Sequence, residues 1–142
     1  MALPARIPIV HEPDHRTDTI GRYRDGQFYA NIHGVGSISK WYVYLHLFDH
    51  DGHHVSSDIT MIGEARYLRD GLTERAYAKR AELLDSLPER EFGDIAIRPF
   101  EVYFEGVQFA LVDESEPDRG DWAELYPDRL GFNPPWDGLY DT

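Results

Sequence analysis

Apolar and polar positions alternate along three stretches of this chain, and each stretch is broken by an acidic residue followed by glycine. Such dipeptides between alternating runs mark β-hairpins with two-residue turns. About Asp25-Gly26, a two-residue loop pairs Tyr23 with Phe28 and Gly21 with Ala30, and puts Phe28, Ala30 and Ile32 on one face. About Asp51-Gly52, Phe48 falls opposite Val55, His46 opposite Ser57, Tyr44 opposite Ile59 and Tyr42 opposite Met61. Val43, Leu45 and Leu47 take the other face, so this strand reads as central and buried on both sides. About Glu105-Gly106, Phe100, Val102 and Phe104 are set against Leu111, Phe109 and Val107. Ile95 and Ile97 have the opposite parity, with Arg98-Pro99 between. That predicts a bulge or bend, because proline cannot donate to a central ladder.

One stretch changes period. From Leu72 to Leu87, Ala, Arg, Glu and Leu dominate, and Tyr77, Ala81, Leu84 and Leu87 recur at helical spacing. Pro88 ends this helix, and Gly71 separates it from a short helical turn at Glu64–Arg69. The fold class that follows is α+β, in the order β-β-β-β-α-β-β. About six strands from three hairpins form an antiparallel sheet with the helix packed on one face. Residues 1–17, with Pro4, Pro8 and Pro13, read as an extended arm. The end of the chain, Trp122–Thr142, carries too many aromatics for a disordered tail. It is expected to be ordered but irregular, packed back on the body, with a short helix near Asp121–Leu125.

Composition narrows the chemistry. A length of 142 residues suits one domain. The absence of cysteine excludes disulfides, thiol nucleophiles and cysteine-ligated metal centres. No apolar run is long enough to cross a membrane, and Met1–Pro8 lacks the apolar core of a signal peptide, so the expected location is cytoplasmic. The net charge is −12, and only two lysines are present. Phosphate-backbone binding draws its affinity from Lys and Arg, so neither nucleic acid nor an anionic membrane is an expected partner. Nine acids and two arginines lie between Asp113 and Thr142, a net −7 within the last thirty residues. This acidic, aromatic segment suits a basic protein surface, with Trp122, Tyr126, Asp128, Trp136, Asp137 and Tyr140 as candidate partner-binding residues. The alternative is that the same rings complete the core.

The candidate catalytic constellations weaken on geometry. His11-Glu12-Pro13-Asp14-His15 spells the H-E-x-x-H of zinc proteases, but that motif works only on a helix, and Pro13 breaks it. The cluster Asp49-His50-Asp51-Gly52-His53-His54 has metal-ligand residue types. Parity, however, places His50 and His53 on one face and Asp49 and His54 on the other. His46 beside Ser57 reads as a hydrogen-bonded core histidine, and Asp58 points away from it, so no Ser-His-Asp triad forms. No catalytic, cofactor-binding or metal-binding residue is assigned, and no cofactor is expected.

Four segments carry a family resemblance. These are the stretch around Arg16-Thr17-Asp18-Thr19-Ile20-Gly21-Arg22-Tyr23, then Asp25-Gly26-Gln27-Phe28, Gly93 to Phe100, and the terminus Trp136 to Thr142. They resemble actinobacterial HycA-like proteins, regulators of formate hydrogenlyase. The resemblance implies a non-enzymatic regulator that restrains expression of those genes by acting on a transcriptional activator instead of DNA. It carries no catalytic or ligand residue. Two other classes stay open: an immunity-type inhibitor of a basic toxin, and a small hydrolase or metal-dependent enzyme using His46, His50 or His53.

Overall fold

Tyr42, Tyr44, His46 and Phe48 face one side of a strand and Val43, Leu45 and Leu47 the other, and that strand lies inside the largest sheet. The computed structural model describes residues 3–37 and 39–142. In chain order the elements are β1 (Ile7–Ile9), β2 (Ile20–Tyr23), β3 (Gly26–Val35), β4 (Lys40–Phe48), β5 (His54–Glu64), α1 (Gly71–Asp85), β6 (Glu91–Phe92), β7 (Ile95–Ile97), β8 (Phe100–Phe104), β9 (Val107–Asp113), β10 (Ala123–Tyr126) and β11 (Leu130–Phe132). The fold is α+β, with one helix and eleven strands among the described residues. All the sheets are antiparallel: five strands in the order β5-β4-β3-β2-β6, four in the order β11-β10-β9-β8, and the ribbon β1-β7.

Alternation makes three layers. One face of the five-stranded sheet, with Phe28, Ala30, Val43 and Leu45, packs on Ala76, Leu83, Leu84 and Leu87 at the helix. The other face, with Tyr29, Tyr42, Tyr44 and Phe48, packs on Phe109, Leu111, Leu125 and Phe132 of the second sheet and on the isoleucines of β1 and β7. Each such aromatic buries a large area, which makes the inter-sheet layer the main core. The helix face differs from the expected one: Tyr77 is half-exposed and Ala81 faces solvent, while Leu72, Ala76, Leu83 and Leu84 are buried. Leucines at 72, 83, 84 and 87 offer more apolar area than one tyrosine. Ala76, having no bulk, lets the helix axis come close to the sheet.

The hairpins follow their turn signals to different degrees. The Glu105-Gly106 hairpin has the expected register, with Phe100↔Leu111, Val102↔Phe109 and Phe104↔Val107. Both turn residues have positive φ (50° and 79°), the conformation this two-residue loop needs. The first hairpin instead turns at Arg24-Asp25, pairing Tyr23 with Gly26 and Gly21 with Phe28. Gly26 is thus a strand residue whose missing side chain makes room for the Phe48 carbonyl.

In the second hairpin His46↔Ser57, Tyr44↔Ile59 and Tyr42↔Met61 hold, but a bulge sets Phe48 against His54. That slip turns Val55 out to solvent and brings the His54 ring in beside Phe48 and Phe100.

Other corrections concern segments whose patterns were short. The expected arm over 1–17 contains β1, which pairs with β7 through Ile7↔Ile97 and Ile9↔Ile95; residues 1 and 2 lie outside the described residues. Arg98-Pro99 separates two strands that belong to different sheets. Residues 64–69 hold the end of β5 and a loop, not a helical turn. The C-terminal segment is more regular than expected: β10 and β11 continue the second sheet, and residues 123–126 form a strand where a short helix was expected. Among the described residues, no helix is long and apolar enough to cross a membrane.

Candidate functional site

Along β10, Ala123 and Leu125 point into the core, so the neighbouring positions Trp122, Glu124 and Tyr126 project from the outer face of the four-stranded sheet. The two rings are half-buried and each is held by a carboxylate. Trp122 Nε1 donates to Glu124 Oε1 at 2.8 Å, and the Tyr126 hydroxyl donates to the Glu114 carboxylate at 2.8 Å. Gly131 of the adjacent strand lies under the Trp122 indole, where a Cβ would overlap the ring. Arg129 Nε donates to Glu124 Oε2 at 3.0 Å, with its guanidinium 5.3 Å from the centre of the Tyr126 ring. Partial burial, with the Glu114 bond and charge added, pushes the Tyr126 hydroxyl up to about 12, so it stays a donor. On the same outer face, Tyr103 is largely exposed and shares Glu101 with Gln108.

The other partner-binding candidates lie elsewhere. Trp136 packs against the main core. Tyr140 packs on Phe132 and meets the His15 ring edge-on, with its hydroxyl 3.4 Å from Thr17 Oγ1. Asp137 is exposed and accepts the Leu139 amide. Asp128 is a correction: its side chain has no exposure. Its carboxyl group sits between the two larger sheets and accepts hydrogen bonds from the Tyr29 and Tyr44 hydroxyls, with Asn31 Nδ2 at 3.4 Å. Arg16 donates to the Asp128 carbonyl. Burial above all, with the Asp128 charge added, raises both tyrosines well above their ordinary value, and burial lowers His33 nearby. No sequence signal marks this hub, because its members come from four separate segments.

Besides His33, the other six histidines separate into three settings. His46 is buried, with Nδ1 2.7 Å from Ser57 Oγ; His54 Nε2 is 2.8 Å from the same oxygen. A hydroxyl has one proton, so Ser57 donates to at most one of the two rings and accepts from at least one. Burial, with a smaller contribution from His54, lowers His46 to about 3, and burial lowers His54 as well. Asp58 pairs with Leu45 and shares its face, turned away from His46 as parity requires. This is a hydrogen-bonded core histidine, as its position opposite Ser57 suggested.

At the β4–β5 turn, Asp49 and His53 meet at 3.2 Å, against the expectation that they project to opposite faces. Asp49 Oδ1 accepts both the Asp51 and His53 amides at 2.9 Å, so the tip is a side-chain-capped loop and not an ideal two-residue turn. Asp49, Asp51 and His53 offer ligand atoms within 4.8 Å of one another. His50 is turned away, 3.1 Å from the Arg24 carbonyl. In the H-E-x-x-H stretch, His11 stacks on Phe92 while His15 meets Tyr140, so the two rings are held by different neighbours.

A buried glutamine was also missed. Gln27 Nε2 donates to the Asp49 and Ala96 carbonyls at 3.1 and 3.0 Å, and Oε1 accepts the Ala96 amide at 2.7 Å. It joins the β4–β5 tip to β7. Comparison with protein-family models, curated proteins and solved structures finds no match for this chain.

Proposed function

We propose that this protein is a non-enzymatic regulatory module that binds a basic protein partner through the outer face of its four-stranded sheet. The observation that carries this reading is the row Trp122–Glu124–Tyr126, which begins just before β10 and follows its outer face, and in which carboxylates fix two half-exposed rings. Preordered aromatics lose little freedom on docking, and Trp and Tyr dominate binding energy at interfaces. The surrounding carboxylates, in a chain of net charge −12, would draw a basic surface and repel nucleic acid. The resemblance to HycA-like regulators agrees with a role exerted on a protein such as a transcriptional activator. The same face also suits an immunity-type inhibitor of a basic toxin, since that reading needs the same charge and anchors.

Affinity purification with the whole chain, comparing wild type with the double variant Trp122→Ala, Tyr126→Ala, tests the proposal. A partner lost from the double variant, retained by Tyr77→Ala, and released by moderate salt supports it. A folded double variant that keeps every wild-type partner rules it out. A nuclease or other toxin as the captured partner would favour the inhibitor reading over the regulator.

A further inference from the structure

The longest strand of the first hairpin is only half covered. β2 pairs with β3 as far as Ile20↔Tyr29, and Thr19 adds a last bond through its carbonyl to the Ala30 amide at 3.0 Å. β4 pairs with the other edge of β3 all the way to Val35. Residues Asn31–Val35 therefore have one paired edge and one open edge. Because Ala30 directs its amide and carbonyl to the β2 side, Ile32 and Gly34 do the same. The Ile32 amide is taken by Asn31 Oδ1 at 2.8 Å. The Ile32 carbonyl and both backbone groups of Gly34 have no hydrogen-bond partner among the described residues.

Two clefts flank this edge. One, of about 620 Å³, is lined by Arg16, Asn31, Ile32, Tyr77 and Arg80; the other, of about 410 Å³, is lined by His33, Gly34 and Val35 together with the β8–β9 turn and Arg129. Neither Arg16 nor Arg80 is in an ion pair among the described residues, although the chain carries 26 acids. Arg16 is held by its bond to the Asp128 carbonyl, and the Arg80 guanidinium lies 5.0 Å from the centre of the Tyr77 ring. Asp14 and Asp18 also line this cleft, so positive charge is presented at two points and not as a broad field.

We propose that the Asn31–Val35 edge of β3 accepts an extended acidic peptide as an added strand. Main-chain bonds to Ile32 and Gly34 supply the register, and acidic side chains pair with Arg16 and Arg80. Five strand residues span roughly 17 Å, so a peptide of five or six residues covers the edge. The smaller cleft borders the Trp122–Tyr126 face, because Tyr126 and Arg129 also line it. Arg16 and Arg80 line the larger cleft, so variants there probe the β3 edge and leave the Trp122 and Tyr126 anchors in place.

The test uses the whole ¹⁵N-labelled protein and a blocked six-residue peptide of alternating valine and glutamate, with lysine-for-glutamate and alternately N-methylated versions as controls. The glutamate peptide is expected to shift the Ile32–Val35 amides and to slow Gly34 amide exchange severalfold. The lysine and N-methylated peptides should bind at least tenfold more weakly, and Arg80→Gln should weaken the glutamate peptide about tenfold. Arg16→Gln should act in the same direction; Arg80→Gln keeps the test decisive if Arg16→Gln disturbs the Asp128 contact. Equal binding of the glutamate and lysine peptides overturns the proposal, as does binding that leaves Gly34 exchange unchanged. So does protection of Gly34 that grows with protein concentration alone, because a second copy would then be the occupant.

Discussion

Tyr44 and Asp128, 84 positions apart in the chain, share a hydrogen bond in the buried layer between the two larger sheets. Tyr29, 99 positions from Asp128, completes the contact from the neighbouring strand. The β10–β11 connection is thereby tied to the centre of β3 and β4, in addition to the pairing of β10 with β9. Asp128→Ala would leave two buried hydroxyls without an acceptor, at about 1–3 kcal/mol each. Urea denaturation should show a loss of roughly 2–5 kcal/mol. The triple variant with Tyr29→Phe and Tyr44→Phe should recover part of it. A loss under ~1 kcal/mol for Asp128→Ala would show that the contact does not hold the layers together.

Acid should destabilise the fold through His46 and His54. Both are depressed in the folded state, His46 to about 3, whereas an unfolded histidine titrates near pH ~6.5. Between those values the unfolded chain binds more protons, so stability rises with pH. The contribution is fully present above about pH 6.5 and is lost as pH falls toward 3. At ~1.4 kcal/mol per unit, His46 alone accounts for a few kcal/mol. His46→Gln should flatten the dependence of the urea midpoint on pH between ~6.5 and 4. An unchanged slope would mean that another group is responsible.

At the alkaline end the sign reverses. Tyr29 and Tyr44 keep their protons well above the ordinary tyrosine range. Their stabilisation is present below about pH 10, where unfolded tyrosine titrates, and is lost as pH rises beyond it. Absorbance titration of the folded protein should show two phenols that ionise only with unfolding. Ionisation of every tyrosine near pH ~10 without loss of structure would contradict the buried hub.

The bulge beside Phe48 makes two neighbouring apolar positions unequal. Val55 is 61% exposed, whereas Phe48 is fully buried. Val55→Ser should change stability by about 0.5 kcal/mol or less, and Phe48→Ala should cost roughly 3–5 kcal/mol. Thermal melts of the two variants decide the register. Comparable losses would restore the regular Phe48–Val55 pair.

Gly52 sits at φ 91°, and a Cβ there would meet the Ala96 carbonyl at 2.8 Å. Its own carbonyl accepts the Arg98 amide at 2.9 Å, so the β4–β5 tip is docked on β7. Gly52→Ala therefore combines backbone strain with a backbone clash and should cost ~1–3 kcal/mol. Chemical shifts should move at Ala96–Arg98 as well as at the tip. A stability equal to wild type would show that the tip is free of β7.

Much of the sheet was legible because side-chain direction in a strand alternates whatever the partner. The two faces of Lys40–Phe48, the pairing across Glu105-Gly106 and the His46–Ser57 contact all follow from that alternation and a turn dipeptide. The site was legible in part. The acids and rings of 113–142 stand out in composition, and the alternation Trp122, Glu124, Tyr126 was there to be read once residues 123–126 were known to be a strand. Ala123–Tyr126 is too short for its period to separate strand from helix, so the regular outer face went unseen.

By itself the sequence determined the α+β class, the faces of the main strands, the helix and the excess of negative charge near the C-terminus. Each depends on local spacing, turn chemistry or simple composition. Only the tertiary structure decided the bulge at Phe48, the turn at Arg24-Asp25, the helix face and the burial of Asp128. Those depend on which backbone passes alongside and which distant hydroxyls arrive, and spacing along one chain carries no record of either. A solvent-facing tail acid and the acceptor at the centre of the molecule look alike in one dimension. Tyr29 and Tyr44, delivered by strands from the other end of the chain, make Asp128 the second.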